Sequence, residues 1–284
     1  MNPTMSAGRI GLYRGWTEFR QSLTNPQDTG FTVFFAVAVV LTLFLQRDSR
    51  VEGSSMSVAM ATLPSVLGLM IAMGGFTGAA GSLTVEREDG TLLRMKAVPN
   101  GMVGYLVGRT VSVSLGALLS VLVILVPGLF LVPELARAGA MSWLTLVWVL
   151  PLGLVATLPW GVVIGSLAKT PNALFGLVML PVMVITGISG IFYPISALPA
   201  WTQSAAQVFP VYWLGLGMRS AFLPDAAAAV EITGSWRHLE TLAVLGVWSA
   251  AGLLLAPPIL RRIARQESGA NMEARKQQAL QRIG

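Results

Sequence analysis

Cysteine is absent from the 284 residues, and histidine occurs once, at His238. The first absence excludes disulfides, thiol catalysis and cysteine-based metal sites. One histidine and no clustered carboxylates within apolar runs leave no ligand set for a metal centre. Charge is also scarce, at 11% Asp, Glu, Lys and Arg against about 25% in ordinary soluble domains. No G-x-x-x-x-G-K-[ST] phosphate loop occurs; Gly165-Ser-Leu-Ala-Lys-Thr170 has the Lys-Thr pair without the glycine spacing. Ionisable side chains are missing altogether from six stretches: 29–46, 53–85, 110–133, 138–168, 170–218 and 241–260. Each reaches the length of about 18 residues or more that crosses a bilayer as helix.

What is present fits that reading. The chain is 54% hydrophobic, and its 30 Gly and 16 Pro are tolerable in membrane helices. The expectation is a single all-α membrane domain, with spans at about 29–46, 57–83, 109–132, 142–168, 172–192 and 240–260. A segment 1–28 precedes it and a polar tail 261–284 follows. The first apolar run starts only at Phe31, so the first span is expected to direct insertion. The net charge of +6 could suggest nucleic acid, but its placement argues for a membrane topology instead. With six spans and both termini inside, fourteen Lys and Arg fall on the inner side and five on the outer, as the positive-inside rule requires. A seven-span reading erases that bias.

The 49 uncharged residues of 170–218 exceed one crossing. One crossing followed by an outer re-entrant hairpin at 194–220 accounts for them. Pro194, Pro199 and Pro210 break any long helix there, and Trp201, Tyr212 and Trp213 suit the interfacial aromatic belt. At the other end, Ile10, Tyr13, Trp16, Phe19 and Leu23 recur near helical spacing among Arg9, Arg14, Glu18 and Arg20, which predicts a helix lying in the inner interface. Trp143, Trp148 and Trp160 are expected to be lipid-facing or interfacial. The Met and Gly residues of the second span, Met70 to Gly78 among them, suit helix packing or an adaptable apolar path.

The charged segment Thr84-Val-Glu-Arg-Glu-Asp-Gly-Thr-Leu-Leu-Arg-Met-Lys-Ala-Val-Pro99 joins the second and third spans on the inner side. It opens acidic and closes basic, in the order that complements a helix dipole. Two readings stay open: a short helix that docks a soluble partner, or a solvated loop. Its Glu-Arg-Glu-Asp-Gly-Thr-Leu-Leu-Arg run, with Pro99 and the Gly108-Arg109 pair, resembles the cytoplasmic loop of ABC-2 type permeases. So does the later stretch Gly187-Ile-Ser-Gly-Ile-Phe-Tyr-Pro194, Leu198-Pro-Ala-Trp201 and Phe209-Pro210. Length makes the chain most similar to the daunorubicin-resistance type of drug exporter.

That resemblance implies six spans, an interfacial N-terminal helix and an extracellular hairpin before the last span. It also implies two permease copies, as a homodimer, and two ATPase subunits that carry the ATP and Mg, with no cofactor in this chain. The charged loop would be the coupling helix, with Glu86, Arg87, Glu88, Asp89, Gly90, Thr91, Arg94 and Lys96 as its ATPase contacts. Arg14, Trp16, Glu18 and Arg20 would form a second contact. The setting would be a bacterial inner membrane with both termini cytoplasmic. One inference needs no family: without intramembrane ionisable groups or a nucleotide site, a transporter must draw its energy from a partner.

Two further readings compete. The same machine could export a lipid or lipid-linked glycan. Alternatively, Gly187-Ile-Ser189-Gly190 resembles the Gly-x-Ser-Gly of rhomboid proteases, with His238 as the base. That chemistry requires Ser189 and His238 within about 2.6–3.2 Å. Against it, Gly-x-Ser-Gly in an apolar span marks close helix packing, and His238 lies between Arg237 and Glu240 at the water boundary.

Overall fold

The computed structural model describes residues 3–51, 56–88, 90–98, 100–168 and 171–266. Helices α1 (Pro3–Thr24) and α2 (Pro26–Gln46) are joined by Asn25 alone. Helix α3 (Val58–Met73) widens into a π turn at Gly74–Gly78 and resumes as α4 (Ala79–Glu88). Then come α5 (Thr91–Lys96), α6 (Gly101–Leu131), α7 (Pro133–Ala136) and α8 (Ala140–Gly165). A second interrupted helix runs through α9 (Pro171–Leu174), a π turn (Phe175–Met179) and α10 (Leu180–Ile188). After a 3-10 turn (Ile195–Ala197) come α11 (Ala200–Ala206), α12 (Pro210–Phe222), a 3-10 turn (Asp225–Val230) and α13 (His238–Gln266). Among the described residues the only β pairing is the single bridge Arg50–Ser57.

Among the described residues, five helices are long and apolar enough to cross a membrane: Thr29–Gln46, Val58–Arg87, Gly101–Leu131, Ala140–Gly165 and His238–Ile263. The apolar part of the interrupted helix, Phe175–Ile188, is shorter. At 1.5 Å per residue, the second and third of these spans are each about 45 Å long, roughly 15 Å more than a hydrocarbon core. Their surplus ends, at Glu86 and at Gly101–Arg109, come together, which lets them carry charge clear of the apolar layer. The helix that carries the third span begins at Gly101, eight residues before the expected start of the span itself.

At the centre, α3 and α4 press against α8 through residues too small to hold the backbones apart. Gly153, Thr157, Gly161 and Gly165 recur every four residues along one face of α8. A Cβ on Gly161 would lie 2.4 Å from the Phe76 carbonyl oxygen, and one on Gly165 would lie 2.6 Å from the Ala80 Cα. Gly161→Ala is therefore expected to cost about 1–3 kcal/mol through helix separation, read as a lower midpoint of thermal unfolding in detergent. Gly81→Ala is the control, since nothing lies within 4 Å of its added Cβ.

Each of the three prolines expected to break the chain between α10 and α12 starts a helical turn: Pro194 precedes the 3-10 turn, Pro199 caps α11 and Pro210 opens α12. Proline suits such positions because a helix's first N–H groups have no partner to lose. Trp201 is exposed, as an interfacial aromatic would be, but Tyr212 and Trp213 are buried and do not belong to a belt. The reason lies in α12, which is apolar on every face apart from Arg219 and is enclosed by α3, α8 and α13. All three α8 tryptophans are half-buried. Trp160 donates its indole N–H to the Trp248 carbonyl at 3.0 Å, and Trp143 meets Phe222 edge-on at 5.6 Å.

Candidate functional site

Four charged side chains and one tyrosine converge where α1, α4 and α6 meet. Glu86, 6% exposed, accepts from Arg14 at 3.2 Å, from the Tyr105 hydroxyl at 2.7 Å and from the Arg109 guanidinium. Glu18 pairs with Arg14 at 2.5 Å and with Arg109 at 3.7 Å. Two arginines and two glutamates sum to zero formal charge, which reduces the cost of excluding water. Glycines make the convergence possible. Gly11 and Gly15 of α1 face Gly104 and Gly108 of α6 so closely that a Cβ on Gly11 would sit 2.5 Å from the Gly104 carbonyl oxygen. That contact turns Arg14 and Glu18 toward the head of α6.

The charged loop is a turn and a short helix fixed at both ends. Arg87 donates to the Ser166 carbonyl at 3.1 Å and to the Ala168 carbonyl at 3.4 Å, tying the end of α4 to the chain just after α8. Gly90, buried and left-handed at φ 76°, ends α4 and starts α5. Asn100, left-handed at φ 55°, precedes α6. Between them, Arg94 is exposed and donates to the Thr91 hydroxyl at 3.1 Å. Asp89 and Pro99 lie outside the described residues, as do the side chains of Glu88 and Lys96.

A cavity of about 540 Å³ opens between the two π turns. Thr77 and Gly78 belong to one turn, Val178 and Met179 to the other, and Phe31 and Thr32 of α2, Ala80 and Gly81 of α4 and Leu174 of α9 also line it. Among the described residues, no charged side chain lines it. The Thr77 hydroxyl is already spent on the Met73 carbonyl at 2.7 Å. π turns are rare and frequent at functional sites, and here two of them flank one largely apolar space.

A second buried ion pair holds the segment after α10. Arg219 of α12 donates to Glu231 at 2.7 Å, to the Gly190 carbonyl at 3.2 Å and to the Ser65 hydroxyl at 3.4 Å. Both charged side chains are under 10% exposed. The sequence reading counted Arg219 as a loop charge, whereas the structure makes it the tie between α3, α10, α12 and the chain after α12. The proposed nucleophile and base are not brought together. Buried Ser189 donates to the Thr186 carbonyl of its own helix at 2.7 Å, and exposed His238 starts α13.

Of the residues expected to contact a partner, Arg14, Glu18 and Glu86 meet one another inside the fold, and Trp16 and Arg20 stay on the free side of α1. Sequence reading missed Tyr105 as a partner of Glu86. Its one available signal was the matched spacing of Gly11-x-x-x-Gly15 and Gly104-x-x-x-Gly108.

The model of the family described as ABC-2 type transporter matches residues 13–223, about three quarters of the chain, from the middle of α1 to the end of α12. The chain belongs to the ABC-2 type transporter family. Both the charge cluster and the cavity fall within the matched residues of this membrane transport family. The chain is also similar to the probable multidrug ABC transporter permease YbhR of Escherichia coli strain K12, and to the protein of the same name from strain O157:H7. Each is 25% identical over 186 residues, covering 65% of this chain and 49% of the relative. The chain spans about half the length of these curated relatives.

Proposed function

We propose that the chain is the membrane-spanning permease subunit of an ATP-driven exporter of hydrophobic or amphipathic, drug-like molecules. Two copies pair and bind two separate ATPase subunits, which hold the ATP and Mg. Six crossings are supported by the interrupted helix, because its 18 residues from Pro171 to Ile188 span about 27 Å. The excess of basic residues supports cytoplasmic termini in a bacterial inner membrane, with α11 and α12 on the outer side. The α4–α5 junction is the coupling element, with Arg87, Glu88, Asp89, Gly90, Thr91, Arg94 and Lys96 near the ATPase. Glu86 anchors that element from inside.

The observation that carries the cargo class is the cavity between the π turns, lined by no charged side chain among the described residues. An ionic cargo would find no counter-charge among those residues, whereas an apolar one loses little on leaving water. Gly81 lines this space with room around its Cα. Gly81→Phe is expected to fill the cavity and reduce export of a hydrophobic fluorescent drug at least about tenfold, a loss of roughly 1.4 kcal/mol in cargo interaction. Gly81→Ala is expected to export normally. The assay is efflux from cells that contain the chain with its ATPase at matched membrane levels. Unimpaired efflux by Gly81→Phe removes the cavity from the path.

A further inference from the structure

We propose that the helix ends nearest the charge cluster form a separate packed body, which tilts against the rest of the bundle and so resizes the cavity between the π turns. The buried apolar side chains fall into two clusters. The larger runs through α2, α3, α8 and α12. The smaller joins Leu83 of α4, Tyr105 of α6, Leu158 and Val162 of α8, and Leu260 and Ile263 of α13, and Met95 of α5 packs on it.

Four long helical segments enter both clusters, and three of them are interrupted where one cluster gives way to the other. Between α3 and α4, the π turn Gly74–Gly78 holds Phe76 of the larger cluster, and Ala79 of the smaller follows the turn. In α8 the buried members change between Ala156 and Leu158, beside Pro159. In α13 they change between Leu245 and Ala256, and Pro257 and Pro258 come next. Lacking N–H groups, these two prolines leave the Leu253 and Leu254 carbonyls without their helical donors. Prolines and π turns are the usual causes of helix bends. Of the four, α6 alone crosses unbroken, between Val113 and Ala117, which makes it the pivot.

The cavity lies at this layer. Thr77 and Gly78 belong to the interrupted turn, and Gly81 stands between it and Leu83, whereas Leu174 and Val178 pack with the larger cluster. Its walls therefore belong to different bodies, and a tilt changes its size. A bend of about 20° at Pro258 moves the end of α13, about 12 Å further on, by about 4 Å. Helix α5 rides on the tilting body through Met95, so force applied to α5 reaches the cavity. The importance of the tilt for export rests on the cargo-path reading above, but its test uses no transport.

The absence of cysteine supplies the test. Full-length chain with Phe34→Cys and Arg261→Cys carries spin labels at exposed positions of α2 and α13, and is diluted with unlabelled chain in lipid nanodiscs. Pulsed dipolar spectroscopy is expected to find two distance populations about 4 Å apart. Pro257→Ala with Pro258→Ala restores both helical hydrogen bonds and is expected to leave one narrow population. In a separate chain carrying Gly81→Cys, the same alanine pair is expected to change the reaction rate with a small water-soluble thiol reagent at least about fivefold. Pro127→Ala, in the part of α6 that packs on the larger cluster, is expected to alter neither reading. One narrow population with the prolines in place, or a Gly81→Cys rate untouched by the alanine pair, overturns the proposal, and so does an equal effect of Pro127→Ala. If Gly81→Phe exports normally while both readings come out as expected, the tilt stands and the cavity's place on the cargo path falls.

Discussion

Glu86→Ala is expected to destabilise the protein by about 3–5 kcal/mol, because it leaves Arg14 and Arg109 to share the single carboxylate of Glu18 in a water-poor junction. Arg14 and Arg109 both lean on this carboxylate, and the Tyr105 hydroxyl loses its acceptor as well. Two guanidinium nitrogens, Arg14 Nη1 and Arg109 Nε, already lack acceptors among the described residues, and the one unpartnered carboxylate oxygen there, Glu18 Oε2, cannot serve both arginines. Thermal unfolding in detergent, followed by tryptophan fluorescence, reads the loss. Glu86→Ala combined with Arg109→Leu is expected to recover part of it, since an apolar replacement removes one buried charge. Arg94→Glu is the contrasting variant. Arg94 is exposed on α5, so its reversal is expected to leave the unfolding midpoint unchanged while weakening recruitment of the ATPase. A normal midpoint for Glu86→Ala would mean that the cluster is solvated and contributes nothing.

Arg219→Leu is expected to have a comparable effect at the other end of the molecule, again about 3–5 kcal/mol. It leaves Glu231 buried and unpaired, and takes the donor from the Gly190 carbonyl and the Ser65 hydroxyl. The chain from α10 to α13 is then expected to open, giving faster proteolysis at the exposed residues Thr233 to Ser235 in the folded protein. Arg219→Lys keeps the charge without the planar fork, so it is expected to hold Glu231 and release one of the other two acceptors, with an intermediate cleavage rate. Arg219→Leu with Glu231→Leu is expected to regain much of the stability. Unchanged proteolysis of the single leucine variant counts against the tie.

The long spans were legible because insertion energetics act on composition, and a run free of charge over about 18 residues records them directly. Contacts were less legible. Nothing in local spacing joins Arg14 to Glu86, 72 residues away, and the pairing depends on four glycines that let α1 and α6 touch. Tyr212 and Trp213 have the chemistry of interfacial residues, but α12 is enclosed on all sides and tertiary packing decided their place. The π turns left no periodicity to read, because each interrupts an apolar helix without changing its hydrophobic character. At the charged loop, the acidic-to-basic order suggested a helix, but it did not show that Glu86 faces inward while Arg94 faces out.

The junction of α1, α4 and α6 also constrains the order of biogenesis. Arg14 and Glu18 are synthesised first, Glu86 follows, and Arg109 comes last. Until the head of α6 leaves the ribosome, Glu86 lacks its closest partner, and the first two spans must enter the bilayer with that carboxylate still hydrated. The third span is therefore more than another crossing: its arrival neutralises a charge left open by the second, and from that moment the early helices can no longer separate cheaply.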